Sequence, residues 1–475
     1  MAITVEYLNA RIGLLDASFD HARSRQQAAV TRLYNRNLGP IRTVVLHRPE
    51  ATDFAMYTAV ASHTPVGFFF PNVLDRPRDS ESITVPGGGK GGDPIGALLG
   101  ALGEMSERLL GMLHFQTLDP ERYRFATCRE LEASGLQPLR PADLPLFARE
   151  QYADPQFPYV PFREDMRLGW VAGTNLASGE TIWAPAQVVL LYYRRAPGEA
   201  PIAYPTTGGL AFHDQFERAV LHGMYEVIER DAINVGWHSH LPPRRVVIDL
   251  ERVLRESKPG ARPRFQVGGV AGVEVLLNTL DVDIPVFSVL AFDESRGEKS
   301  FLSGGGAWGT RTRALGQAIY ELGQCRNILK FHHPLPGKHI RPESPRSELT
   351  EFFDAVVYYG YRENRPHLEE FRRGGSSIAW EDVPDHPFDD PHAELEAMVE
   401  RLRASGVTPL IFDLGGAAWP GMHVIKTLLP QLTQAGVPST PFLGHPRYYD
   451  LPKQLGRADR VLTYEDLNHA PVPLP

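Results

Sequence analysis

Three stretches of the chain place apolar residues at helical spacing. Leu98, Leu102, Met105 and Leu109 step by four, three and four. Leu221, Tyr225, Ile228, Ala232 and Val235 step by four, three, four and three. Leu315, Ile319 and Leu322 repeat the spacing a third time. Each pattern predicts an amphipathic helix with one buried stripe. The first two carry the same acidic decoration beside the stripe. Glu104 and Glu107 are followed by Arg108; Glu226 and Glu229 are followed by Arg230. Residues three apart share a helix face, so each pair puts two carboxylates side by side. Such a pair repels mildly in water and strongly when half buried. Two helices so marked suit opposite walls of a cleft. Four carboxylates there need cations, and hard divalent ions with oxygen ligands are the usual answer. Mg2+ held that way generally carries a nucleotide's phosphates, and arginines neutralise what the metal leaves. The third helix offers Glu321, Gln324 and Arg326.

Between these helices, apolar runs predict strands at 44–46, 66–70, 187–193, 285–292, 410–414 and 424–430. Residues 1–40 read as an amphipathic helical arm, and 349–359 and 394–404 as further helices. Glycine-rich loops are expected at 85–93 (VPGGGKGGD), 206–211 (TTGGLA) and 303–306 (SGGG). Glycine lets a backbone approach an anion, and Lys90 adds a charge in the first loop. That loop is not a Walker A motif, because no Ser or Thr follows the lysine; taken alone it reads as a flexible turn, and its place just before the first carboxylate helix is what gives it weight. Residues 331–395 are rich in Pro, His and charge, as in an insertion or surface excursion. Strands and helices mix without regular alternation, which makes the fold class α+β.

The net charge of -8 gives no electrostatic case for nucleic acid or an anionic membrane as partner. Cys128 and Cys325 are isolated, so neither a disulfide scaffold nor a cysteine zinc site is expected, and a reducing cytoplasm fits. Cys325 reads as a small buried apolar residue. His238 and His240 lack companions at zinc spacing and read as a helix end. The N-terminus has no secretory pattern, and no apolar run approaches a membrane span.

Taken in order, these motifs resemble the YcaO domain from about residue 84 onward. Lys90 matches the family's G-K-G loop. Glu104, Glu107 and Arg108 match its first E-x-x-E-R; Gly209-Leu210-Ala211 with Glu226, Glu229, Arg230 and Asp231 matches the loop and second E-x-x-E-R-D. Glu321, Gln324 and Arg326 match its E-x-x-Q-x-R. The resemblance implies an N-terminal extension (1–80), then an ATP-binding domain (81–475) with an insertion near 331–395. It implies ATP and Mg2+ as cofactors, with Glu104, Glu107, Glu226 and Glu229 on the metal. Lys90, Arg108, Arg230, Glu321, Gln324 and Arg326 complete the nucleotide site.

The implied reaction is phosphorylation of a peptide amide oxygen after a nucleophile has added to its carbonyl. A Cys, Ser or Thr side chain gives thiazoline or oxazoline; external sulfide gives a thioamide. The ending Pro471, Pro473, Pro475 resembles the P-x-P-x-P of azoline-forming members and implies a catalytic role for the Pro475 carboxylate; the match to the second E-x-x-E-R-D implies one for Arg230. The implied partners are a precursor peptide, a separate leader-peptide-binding protein related to ubiquitin-activating enzymes, a flavin dehydrogenase and a second copy in a homodimer. Gly208, His213-Asp214 and Gly100 depart from the family pattern, which touches adenine and ribose contacts more than the metal site. A thioamide- or amidine-forming enzyme and a non-catalytic scaffold stand as the alternatives.

Overall fold

The computed structural model describes residues 33–35, 39–49, 56–64, 86–114, 118–250, 253, 270–293, 300–331, 339–415 and 421–474. Most of the helical arm expected at 1–40, the strand expected at 66–70 and Pro475 lie outside the described residues.

Three sheets organise the chain. The first is antiparallel, in the order β1 (Ile41–His47), β2 (Tyr57–His63), β3 (Gly87–Gly91). The middle sheet runs β4 (Tyr123–Ala126), β5 (Leu168–Asn175), β13 (Leu410–Asp413), β14 (His423–Leu428), β7 (Leu210–His213), with β6 (Thr181–Pro185) paired to β5. The third runs β11 (Phe301–Ala307), β10 (Val286–Asp293), β9 (Val270–Leu277), β8 (Arg244–Val247), β12 (Ser377–Ala379). The fold is α+β, as expected.

The three helices are α1 (Pro94–Met112), α2 (Phe216–His238) and α3 (Arg311–Phe331). The α1 start is written in its sequence. Asp93 accepts hydrogen bonds from the Ile95 and Gly96 amides, and Pro94 needs no partner for the N–H it lacks. All the stripe residues named above are buried. One core gathers α2, α3 and the third sheet; a second gathers α1, the first sheet and much of the middle sheet. No helix among the described residues is long and apolar enough to cross a membrane.

Two expected glycine loops are edge strands instead. β3 and β11 each carry three consecutive glycines, and a helix lies directly on each. A Cβ at Gly89 would overlap the Ala97 carbonyl of α1, and one at Gly304 or Gly306 the Ala318 or Ala314 carbonyl of α3. A Cβ at Gly87 would stand 2.5 Å from the Met105 amide nitrogen. Composition suggested turns; the physical need is close approach of two backbones.

The expected strand at 187–193 opens as a helical turn, Ala186–Val189. Its side chains are buried as a strand's would be, but Gln187 folds the chain back on itself. Its amide donates to Glu199 (3.0 Å) and the Ala200 carbonyl (2.9 Å), and accepts from the Ile202 amide (3.0 Å). Short apolar runs do not separate the two conformations. Part of 331–395 is buried where it is described. Helices α4 (Phe352–Gly360) and α5 (Pro391–Ala404) pack inward, and Val356, Tyr359, Leu368 and Phe371 join the core.

Gly304→Ala is expected to destabilise the fold by about 2 kcal/mol through overpacking, read as a lower denaturant midpoint. Gly316→Ala in α3, whose Cβ would meet nothing within 4 Å, is expected to stabilise by roughly 0.5–1 kcal/mol through helix propensity.

Candidate functional site

The site is built from one unit used three times: an edge backbone carrying glycine, followed by a helix carrying glutamate. β3, β7 and β11 are each the last strand of their sheet, and all three edges meet at one cavity. The Gly88 amide donates to Glu104 Oε2 of α1 at 2.9 Å. The Gly209 amide, just before β7, donates to Glu226 Oε2 of α2 at 3.0 Å. The Gly305 amide of β11 donates to Glu321 Oε2 of α3 at 3.1 Å. The separations along the chain are 16, 17 and 16 residues.

The repetition extends one helical turn further. Three residues after each anchored glutamate stand Glu107, Glu229 and Gln324; four after stand Arg108, Arg230 and Cys325. Arg108 donates to the Pro86 carbonyl and pairs with Glu104 at 2.5 Å. Cys325 makes a hydrogen bond with the Ser303 backbone. Pro86 and Ser303 each lie two residues before the glycine of their unit. At the amides themselves a Cβ would meet side-chain ends: the Gln324 amide at Gly88, and Glu229 Oε1 at 2.6 Å at Gly305.

The cavity holds about 500 Å3. Lys90, Glu104, Glu107, Arg108, Glu226, Glu229, Arg230, Glu321 and Gln324 all line it, so the two acid-paired helices do face one another. Arg326, expected in the nucleotide site, is the exception. It does not line the cavity; it is 2% exposed and binds Asp293 Oδ2 through Nη2 (3.0 Å) and Nε (3.2 Å). One residue is about 100° around a helix, and the cleft-facing place belongs to Cys325. That thiol is buried and pushed up to about 12 by burial, which makes it inert. Asp231 serves the frame: Arg447 bridges it to Asp281 at 2.7 Å on each side, fixing α2 to helix α6 (Arg447–Gln454).

Crowding sets the electrostatics. Burial, then Glu226 and Glu104, push Glu107 well above the usual carboxylate range. Burial pushes Glu229 up to about 8, with Arg230 opposing and Glu321 and Glu226 adding. Burial raises Glu226 as well, against Arg230, the Gly209 amide and Lys426. Glu321 goes the other way. Burial favours its proton, but Lys90 at 2.8 Å and Arg230 outweigh that and hold it low. Lys426, absent from the expected site, is drawn down to about 8 by burial, opposed by Glu226 and Glu107.

This donor set fits a hard divalent cation: oxygen ligands, more negative charge than the lysines and arginines cancel, and protons retained for want of a countercharge. Among the described residues no three His, Cys, Asp or Glu side chains converge as a preformed metal site. Glycine amides, Lys90 and Arg108 hold Glu104, Glu226 and Glu321 apart. Coordination therefore requires carboxylates to turn inward, and Glu107 is free of hydrogen bonds among the described residues.

The departing positions have local explanations. The Gly208 carbonyl is held by Lys426 Nζ at 2.6 Å. Asp214 pairs with His213 at 2.7 Å. Gly100 lies against β3, where a Cβ would stand 3.3 Å from the Gly89 Cα. Near Pro475 the chain is pinned by Trp237 to the Ala470 carbonyl (2.8 Å) and by Arg346 to the His469 carbonyl (2.6 Å). Val472 and Leu474 line a small cavity that shares Arg230, Phe352 and Ala435 with the large one. His238, the last residue of α2, bonds the Asn468 carbonyl at 2.6 Å, and His240 just beyond it pairs with Glu370 at 2.7 Å.

Sequence reasoning missed Lys426 and the wall formed by His222, Tyr225 and Trp308. The signal for the first was there: a lone lysine inside the strand HVIKTL, where charge is rarely buried without a partner. The second gave no signal beyond aromatic content.

The family described as YcaO cyclodehydratase, ATP- and Mg2+-binding, matches residues 88–433. An uncharacterized protein of Methanothermobacter thermautotrophicus is 27% identical over 285 residues, 59% of this chain and 70% of that protein. An uncharacterized protein from the tfuA 3' region of Rhizobium leguminosarum bv. trifolii is 25% identical over 324 residues, 64% of this chain and 69% of its own. Among solved structures, a heterocyclase in complex with substrate and cofactor superposes with TM-score 0.70 at 20% identity, covering 95% of this chain. This chain spans only 57% of that heterocyclase. YcaO from Methanopyrus kandleri, bound with AMPPCP and Mg2+, gives 0.59 at 17% identity, covering 87% of this chain and 92% of that one. The E. coli microcin synthetase McbBCD complex gives 0.54 at 13%, covering 91% and 96%. At these identities the structures establish a shared fold.

Glu229 keeps its proton to about pH 8 when folded, against a usual 4.5. A raised carboxyl means the folded state binds more protons than the unfolded one between those values, so stability falls as pH rises through that window. Glu229→Gln is therefore expected to gain stability over the wild type as metal-free melting temperatures are followed from pH 5 to 8. A difference that stays flat across that range would reject the assignment.

Proposed function

We propose that this chain, which belongs to the YcaO family of ATP- and Mg2+-binding cyclodehydratases, converts Cys, Ser or Thr residues of a precursor peptide into thiazoline or oxazoline. The observation that carries the reading is the meeting of three amide-anchored glutamates and the two further acids, Glu107 and Glu229, at one cavity. Bound ATP and Mg2+ supply a phosphoryl group and neutralise its charge. Glu104, Glu107, Glu226 and Glu229 hold the metal. Lys90 leaves Glu321 to meet phosphate oxygens, and Arg108 and Arg230 complete the positive wall.

The substrate's thiol or hydroxyl adds to the preceding carbonyl carbon and gives up its proton. The former carbonyl oxygen would take the terminal phosphoryl group of ATP, with ADP as the leaving group. Phosphate then leaves with that oxygen, the amide nitrogen loses its proton, and a C=N bond closes the ring. A base is needed for the first proton. The Pro475 carboxylate is our candidate, because the pinned tail brings Leu474 to the wall beside Arg230. A polyproline-like tail holds such a group at low entropic cost.

A peptide substrate and protein partners are supported by the heterocyclase solved with substrate and by the multi-subunit microcin synthetase. A leader-peptide-binding protein related to ubiquitin-activating enzymes, a flavin dehydrogenase and a homodimer complete the proposal. The P-x-P-x-P ending favours azoline over thioamide or amidine, and the retained acids favour catalysis over a scaffold.

Glu226→Gln is expected to abolish ATP turnover while circular dichroism stays native; ordinary turnover would sink the metal assignment. Mass spectrometry of treated precursor peptide should show a loss of about 18 Da for each ring closed by dehydration. A gain of roughly 16 Da would mean sulfur replaced oxygen, and the azoline reading would give way.

A further inference from the structure

Lys426 is 3% exposed, in the centre of β14. A buried ammonium needs strong hydrogen bonds to persist. Its Nζ donates to the Thr206 carbonyl at 2.8 Å and to the Gly208 carbonyl at 2.6 Å. Its neighbour Thr427 donates its amide to the Gly209 carbonyl at 2.7 Å. Two successive residues of one strand thus hold the turn at 206–209 by three carbonyls.

That turn has a specific weakness. In the other two units the anchoring glycine lies inside a strand: Gly88 pairs with Val60 of β2, and Gly305 with Ser288 of β10. Gly209 precedes β7, which begins at Leu210. It adopts φ +77° and follows another glycine, so the last two residues of the turn have no side chain to fix it. Yet its amide must point at Glu226, 3.0 Å away.

We propose that Lys426 is a positioning residue: it holds the 206–209 turn from behind, so that the Gly209 amide fixes Glu226 for Mg2+. The inference rests on the metal-binding reading above. It assigns Lys426 no contact with substrate. Its charge lies behind Glu226 and Glu107, where it offsets their repulsion before the metal arrives.

The test compares Lys426→Met, which removes charge and donors, with Lys426→Gln, which keeps an amide donor. Mn2+ serves as the probe, in the presence of a non-hydrolysable ATP analogue, with loss of the free-ion EPR signal as readout. Lys426→Met is expected to weaken metal binding about tenfold, the usual cost of losing a residue that orients a ligand, and Lys426→Gln to recover part of that. In turnover assays the Mg2+ half-saturation point should rise more than kcat at saturating Mg2+ falls. Should Lys426→Met fail to fold, Lys426→Gln carries the comparison. Wild-type Mn2+ affinity in a folded Lys426→Gln or Lys426→Met overturns the inference, as does a loss confined to kcat. If the wild type itself takes up no Mn2+ with the analogue, the metal reading falls instead, and this one with it.

Discussion

A carboxylate that accepts a hydrogen bond from a glycine amide is the interaction on which this molecule turns. Five glutamates open on one recess, and their mutual repulsion would scatter them or keep them protonated. Fixed backbone dipoles prevent the first for Glu104, Glu226 and Glu321. A glycine amide is a donor that brings no side chain of its own into the recess. It also costs little to orient, because the strand or turn already sets its direction. Glu107 and Glu229 are left with their protons raised and few partners, which is the state an incoming cation relieves.

The same glycines solve a packing problem on their other face. In β3 and β11 the outer glycines of each triplet let a helix rest on bare backbone, while the middle one turns its amide to the cavity. Alternation along a strand separates the two jobs by one residue. The glutamate is then held at a height over the strand that no side-chain rotamer disturbs. The second unit departs from this plan, because its glycine lies in a turn and its support comes from β14.

The three helices were legible because a period of 3.6 and a charged face are local properties. So were the acid pairs, whose spacing alone places them on one face. The strands β3 and β11 were misread because three glycines resemble a turn in composition, while their cause is the packing of the helix that follows each strand, which composition does not record. The segment at 187–193 was misread because burial makes strand and helix equally apolar, and the deciding hydrogen bonds of Gln187 reach across to 199–202. Arg326 shows the limit for side chains: a motif fixes which residues recur, but one position of rotation decides whether a guanidinium meets the cavity or Asp293. Lys426 lies some 200 residues from the carbonyls it holds, and nothing local announces the pair.

Holding the second turn from β14 has a consequence for synthesis on the ribosome. Both E-x-x-E-R segments have left the exit tunnel long before β14, at 423–428, is made. For that interval the nascent chain displays its acids with the Gly209 carbonyl still lacking the Thr427 amide. Nucleotide and metal therefore have no finished pocket to enter until β14 has been made, so their capture follows the folding of the first two helices rather than nucleating it.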